Sequence, residues 1–232
     1  LFFLQQLQQN ALSALEEICA YTKGKPVIII VGAPLKVDNN LYNCAFVMTD
    51  GDVCGVVPKI NLPNTGEFYE KRWFTPGRTT ITSIELWNGE VPFGPDLLFL
   101  TQRCCFAIEL CEDLWSPLPS TQLAIQGAEI IFNLSSSNCL VGKHAFRRQM
   151  ITQQSCRVHC GYVYTSSGVG ESTTDLVFSG STYIAENGTM LEEGERFLRD
   201  SSMIISEIDI ERLRTDRQRN TNFTDDKRGQ YR

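Results

Sequence analysis

Leu1, Leu4, Leu7, Ala11, Leu12, Leu15 and Ile18 recur at helical spacing, and Gly24 with Pro26 closes the helix they predict. Val27–Val31 is an unbroken apolar run between Pro26 and Gly32, the pattern of a strand buried on both faces. Asn43–Met48 and Val53–Val57 flank Asp50-Gly51, a strong hairpin signal, and the second strand delivers Lys59 at its end. The stretch NLPNTGEFYEKRWFTPG reads as a polar and aromatic loop with a short helix at Glu67–Phe74. Ile81–Trp87 and Leu97–Leu100 are strands separated by the turn-rich NGEVPFGPD. Phe106, Ile108 and Leu110 alternate with Ala107 and Glu109, which predicts a strand with Cys111 at its end. Ser116-Pro117 then opens a helix running from about Leu118 to Gln126 and closed by Gly127. A strand at Glu129–Leu134 leads into the polar loop Ser135–Asn138, followed by a helix from Lys143 to Val158 and a strand at Tyr162–Thr165. GVGESTTD is loop, and Ser181–Ile184 and Met203–Ile208 are late strands around the Asn187-Gly188 turn. From Glu211 the chain is dense in Arg, Asp and Asn without an apolar stripe, so 1–210 reads as one domain and 211–232 as a charged linker or arm.

Strands alternating with helices, plus hairpins, predict an α/β protein, and such sheets place ligands at their strand ends. Lys59, Cys111 and Ser135–Asn138 all fall there. The 232 residues suffice for a substantial core, and no apolar run is long enough to span a bilayer. A formal charge of −6, with no basic stripe before the final twenty residues, argues against nucleic acid as partner. LFFLQQLQQ lacks the basic flank and cleavage site of a signal peptide, and it starts without Met inside a periodic pattern, as a chain missing its true N-terminus would. The nine cysteines are odd in number, scattered and without zinc-ligand spacing, which predicts a reducing, cytoplasmic setting and no metal or cofactor in this domain.

Cys111 at a strand-to-helix corner is well mounted for a nucleophile. Its neighbours Glu109, Glu112 and Asp113 are all anionic, however, and disfavour a thiolate. A reactive Cys111 therefore needs a cation from elsewhere, and Lys59 is the candidate. Each residue also has a plainer reading. Any one of nine cysteines is more often a packing residue, Lys59 can be a solvated strand-end lysine, and Glu67 and Glu70 can pair with Lys71 and Arg72 on a helix surface. Ser135–Ser137 can be a turn and helix cap.

Taken together, "VPKINLP", "GEFYEKRWFTPG" and a post-strand "CEDLW" resemble the nitrilase superfamily of carbon–nitrogen hydrolases. "PNTGEFYEKRWF", "ELCEDLWSP", "LSSSNCLVGKHAFRRQM" and "GYVYTSSGVGESTTDLVFSGSTYIAENG" are similar to the glutaminase domains of glutamine-dependent NAD synthetases. The resemblance implies an αββα sandwich of two mixed sheets, here lacking its N-terminal strand. It matches Cys111 to the nucleophile, Lys59 to the catalytic lysine and Glu70 to the glutamate that orients it. Glu112, Trp115, Ser137 and Lys143 match glutamine-binding positions, although relatives often carry Arg at the last. The implied partners are glutamine, a C-terminal synthetase domain using ATP, Mg and deamido-NAD, and a further copy of the chain in a homo-oligomer, with no membrane or nucleic acid. The superfamily's general base, a glutamate in a Pro-Glu segment, precedes the first helix matched here. The 232-residue polypeptide alone is thus expected to be a weak or inactive glutaminase and the parent protein an active one. Alternatives are a stand-alone amidase on another small amide, or a silent assembly domain.

Overall fold

The computed structural model describes residues 2–77, 82–171 and 175–224. They form two compact units, Leu1–Leu97 and Leu98–Arg232. Part of the predicted GVGESTTD loop and the end of the charged tail lie outside the described residues.

In the first unit, α1 (Gln5–Tyr21) is followed by β1 (Ile29–Val37), β2 (Asn40–Thr49), β3 (Asp52–Pro58), β4 (Thr82–Leu86) and β5 (Gly89–Phe93). The sheet order is β1-β2-β3-β5-β4, with β3 and β5 parallel and the other pairs antiparallel. The helical periodicity has the consequence expected of it: Leu15 and Cys19 of α1 pack into one cluster with Leu35, Phe46, Val56 and Phe93. Thr22 fastens the helix end to the hairpin, since its hydroxyl donates to the Cys19 carbonyl and accepts from the Gly51 N–H. Asp50 and Gly51 adopt φ of 50° and 87°, the left-handed pair that a tight hairpin requires.

Two expectations need correction here. Val27–Val31 is not a strand buried on both faces; β1 starts at Ile29, lies at the sheet edge and is mostly half-buried, because only β2 pairs with it. GEVPF, expected as turn, is β5. The real turn is Trp87-Asn88, between β4 and β5, and Pro92 is tolerated because β5 meets β3 only briefly.

The second unit contains β6 (Phe99–Leu100), β7 (Cys105–Leu110), α2 (Ser120–Gln126), β8 (Ile130–Ser135), α3 (Lys143–Arg157), β9 (Gly161–Ser166), β10 (Thr182–Glu186) and β11 (Thr189–Glu193), then α4 (Ile210–Arg219) and α5 (Thr221–Thr224). The sheet order is β11-β10-β9-β8-β7-β6, with parallel β7, β8 and β9 at its centre. Leu123 and Ala124 of α2 and Ile151 of α3 pack with Ala107, Ile131, Tyr162 and Tyr164 of these central strands. Gly127 closes α2 at φ 127°, as its sequence position predicts.

Met203–Ile208 is not a strand. Met203 and Ile205 point outward at 80% and 72% exposure, and the partner of β10 is instead β11. Ile208 packs so tightly on Gly161 that a Cβ there would come within 2.8 Å of it. Nor is the segment after Glu211 a free arm over its described part: it folds as α4 against the second unit. The Asp209 carboxylate caps the helix by accepting from the Arg212 N–H at 2.9 Å. Leu213 is its fully buried apolar residue, with half-buried Ile210 three positions before it. Arg214 donates to Glu129 at 2.6 Å, and Arg217 donates to the Ala128 and His159 carbonyls at 2.6 and 2.9 Å.

Candidate active site

In the first unit the hairpin ends at Lys59, whose side chain is 3% exposed. Its Nζ lies 2.5 Å from Glu70 Oε2, and the Asn43 side-chain amide donates to the other Glu70 oxygen at 2.6 Å. Asn43 also accepts the Lys59 N–H on its backbone carbonyl at 2.8 Å, so one residue of β2 orients both partners. A short 3₁₀ turn, Glu70–Arg72, stands where a helix over Glu67–Phe74 was expected. The Glu70 N–H is anchored on the Pro63 carbonyl at 3.0 Å, which aims the side chain at Lys59 rather than at Lys71 or Arg72. The chain then returns to the hairpin: Thr75 donates to the Leu41 carbonyl at 2.8 Å and Gly77 to the Lys59 carbonyl at 2.6 Å. Only glycine fits at position 77, because a Cβ would stand 2.8 Å from the Pro58 carbonyl oxygen. A cavity of about 450 Å³ lined by Asn64, Tyr69, Lys71 and Arg72 opens beside this loop.

In the second unit β7 ends at Leu110, and Cys111 directly after it takes φ 47° and starts a 3₁₀ turn, Cys111–Trp115. A left-handed non-glycine residue costs energy and persists where its surroundings enforce it. Asp113, 1% exposed, supplies that enforcement: its carboxylate accepts from the Leu110 N–H at 3.0 Å and clamps the turn across Cys111. Two residues upstream, the buried Glu109 carboxyl accepts from the Tyr162 hydroxyl and from Asn133 Nδ2. Burial pushes Glu109 up to about 7, with the Asp113 charge adding to the rise and the Tyr162 and Asn133 hydrogen bonds opposing it. Near neutral pH Glu109 is therefore substantially protonated, and the anionic surround of Cys111 is thinner than its three acidic neighbours imply.

The polar loop after β8 and the start of α3 hold the remaining candidates. Ser137 is buried; its N–H donates to Ser166 Oγ at 3.2 Å and its own Oγ accepts from Arg147 Nη2 at 3.0 Å. Lys143 opens α3 after Gly142, which takes φ 80°. Its Nζ donates to Asn138 Oδ1 and lies 5.1 Å from the Trp115 ring centre. Trp115 in turn packs on Phe146, with ring centres 5.7 Å apart. Within the first unit, then, Lys59 and Glu70 are joined. Within the second, Ser137, Lys143 and Trp115 are linked through Asn138 and α3, while Cys111 and half-buried Glu112 share the turn that also carries Trp115. Asn43, Tyr164 and Arg147 were not read from the sequence, and Asp113 was read only as an anionic neighbour of Cys111, not as the clamp of its turn. Arg147 had a signal, since it follows Lys143 by four residues and so shares its helix face. Among the described residues no group of three or more His, Cys, Asp or Glu side chains could hold a metal ion.

Comparison with known proteins agrees with this architecture. The family described as carbon-nitrogen hydrolase matches residues 3–218. The chain is 40% identical over 205 residues to the glutamine-dependent NAD(+) synthetase of Mycobacterium leprae, covering 87% of this chain and 30% of that protein. It is 30% identical over 201 residues to the human protein of the same name, covering 82% of this chain and 28% of that one. A crystal structure of a glutamine-dependent NAD(+) synthetase from Cytophaga hutchinsonii superposes with a TM-score of 0.75 at 28% identity, covering 84% of this chain and 32% of that one. A carbon-nitrogen hydrolase from Helicobacter pylori G27 superposes with a TM-score of 0.74 at 20% identity, over 98% of this chain and 76% of its own, and shows the shared fold. The chain thus spans about a third of the length of the synthetases it matches. With two mixed sheets flanked by helices and a family match over nearly its whole length, the chain belongs to the carbon–nitrogen hydrolase family.

Proposed function

We propose that this chain is the glutaminase part of a glutamine-dependent NAD synthetase. Cys111 is the nucleophile. Its thiol gives up a proton to a general base, and the sulfur attacks the side-chain amide carbon of glutamine. Lys59, oriented by Glu70, and the backbone N–H of Glu112 stabilise the tetrahedral oxyanion. The carbon–nitrogen bond breaks, ammonia takes the proton and leaves, and water then cleaves the γ-glutamyl thioester to glutamate and free thiol. Glu112 reads the α-ammonium of glutamine, while Ser137 and Lys143 read its α-carboxylate beside Trp115. Ammonia passes to a synthetase domain of the same protein, which requires ATP, Mg and deamido-NAD; no cofactor is assigned to the glutaminase domain. The reading includes a cytoplasmic setting and a homo-oligomer. No described helix is long and apolar enough to cross a membrane.

The observation that carries this reading is the conformation of Cys111, a cysteine at the end of a central parallel strand, held left-handed by a buried carboxylate. Packing alone does not require that arrangement. The test is ammonia release by the intact protein from glutamine and from amides lacking the α-amino group, with and without Cys111→Ala. Glutamine should be strongly preferred. The substitution should abolish glutamine-dependent NAD formation while leaving formation from free ammonia intact. Undiminished glutamine-dependent synthesis in Cys111→Ala would overturn the assignment.

A further inference from the structure

Arg147 is 1% exposed, and among the described residues no carboxylate pairs with it. Its Nη2 donates to Ser137 Oγ at 3.0 Å and to the Asn138 carbonyl at 3.1 Å, and its Nη1 to Ser181 Oγ at 3.3 Å. Its Nε has no hydrogen-bond partner among the described residues, and the guanidinium carbon lies 5.6 Å from the Tyr164 ring centre. The carboxylate that faces α3, Glu193, is taken by Arg148 at 2.8 Å and His144 at 3.3 Å. A buried cation without a counter-anion is costly and is best explained when a ligand brings the anion. The hydrogen bond to Ser137 also has a direction. Because Oγ accepts from the guanidinium, the Ser137 hydroxyl proton is left to donate away from Arg147, on a charge-polarised oxygen.

We propose that Arg147 is the positioning residue for recognition of the substrate's α-carboxylate: it makes Ser137 a donor and supplies the unpaired charge behind the loop that Lys143 completes. This rests on the glutaminase reading and extends it to a residue that does not itself touch the substrate. Arg147 holds two atoms of the loop with one nitrogen of its planar fork and Ser181 with the other, a span that the single nitrogen of lysine cannot reproduce.

The test is steady-state glutamine hydrolysis by the intact protein, comparing wild type with Arg147→Lys, Ser137→Ala and the double variant, each checked by thermal melting. Arg147→Lys should keep a cooperative melt and raise KM for glutamine roughly 10- to 100-fold, the worth of one charge-assisted hydrogen bond, with kcat changed by less than about threefold. Added to Ser137→Ala, it should change KM by less than about twofold, because the two act as one unit. An unchanged KM, a fall in kcat without a rise in KM, independent effects in the double variant, or loss of the melt would each overturn the proposal. Absence of glutamine turnover in the wild-type protein would instead remove the glutaminase reading on which it stands.

Discussion

Glu109 lies two residues before Cys111, fully buried, and its pKa is lifted from an ordinary 4.5 to about 7. The folded protein therefore holds this proton more tightly than the unfolded chain. The stability it confers is complete below pH 4.5 and is lost as pH rises through about 7. At ~1.4 kcal/mol per pH unit, the gap between 4.5 and about 7 corresponds to about 3 kcal/mol. Glu109→Gln mimics the protonated side chain: it is neutral, close in shape, and can still accept from Tyr162 and Asn133. Denaturant titrations at a series of pH values from about 5 to about 8.5 should show the variant gaining on the wild type by about 2 to 3 kcal/mol, mostly below pH ~7.5. Parallel stability profiles for the two proteins would refute the reasoning, because they would mean that Glu109 is as ionised in the fold as in the open chain.

Lys59→Met leaves Glu70 without its cation in a site where the lysine is 3% exposed and the glutamate 15%. Chemical denaturation should register a loss of a few kcal/mol, and glutamine turnover should fall by about 10² or more. Asp113→Ala removes the acceptor of the Leu110 N–H, at a cost of about 1 to 3 kcal/mol, and frees the Cys111 turn; kcat for glutamine should drop while synthesis from free ammonia is retained. Leu213→Ala empties the one fully buried apolar contact of α4, and a melt should report a loss of about 2 to 5 kcal/mol; a change under ~0.5 kcal/mol would contradict the docked helix.

What the pattern of residues disclosed was mostly what repeats. The periodic leucines of α1, the Asp-Gly hairpin and the alternation leading to Cys111 each depend on a local rule, and each element formed close to where it was expected. β1 went astray because an apolar run does not say whether one neighbour or two will cover it. α4 was missed for a related reason: with one apolar anchor, its docking depends on arginines reaching carbonyls and Glu129, and a charged sequence does not announce those partners. The candidate residues of the site were legible as strand-end positions and through family resemblance. Their orienting partners were not. Asn43 reaches Glu70 across 27 positions, and the long helix α3 brings Arg147 to Ser137 across ten. Such contacts are set by the tertiary fold, and the one trace they left in the chain is the four-residue spacing of Arg147 from Lys143.

The most direct test of the central claim is rapid acid quench of the intact protein turning over glutamine, followed by mass mapping of its cysteines. The account predicts a γ-glutamyl thioester on Cys111 alone, accumulating within one turnover and absent from Cys111→Ala. A thioester on another cysteine, or normal turnover with Cys111 never acylated, would contradict it.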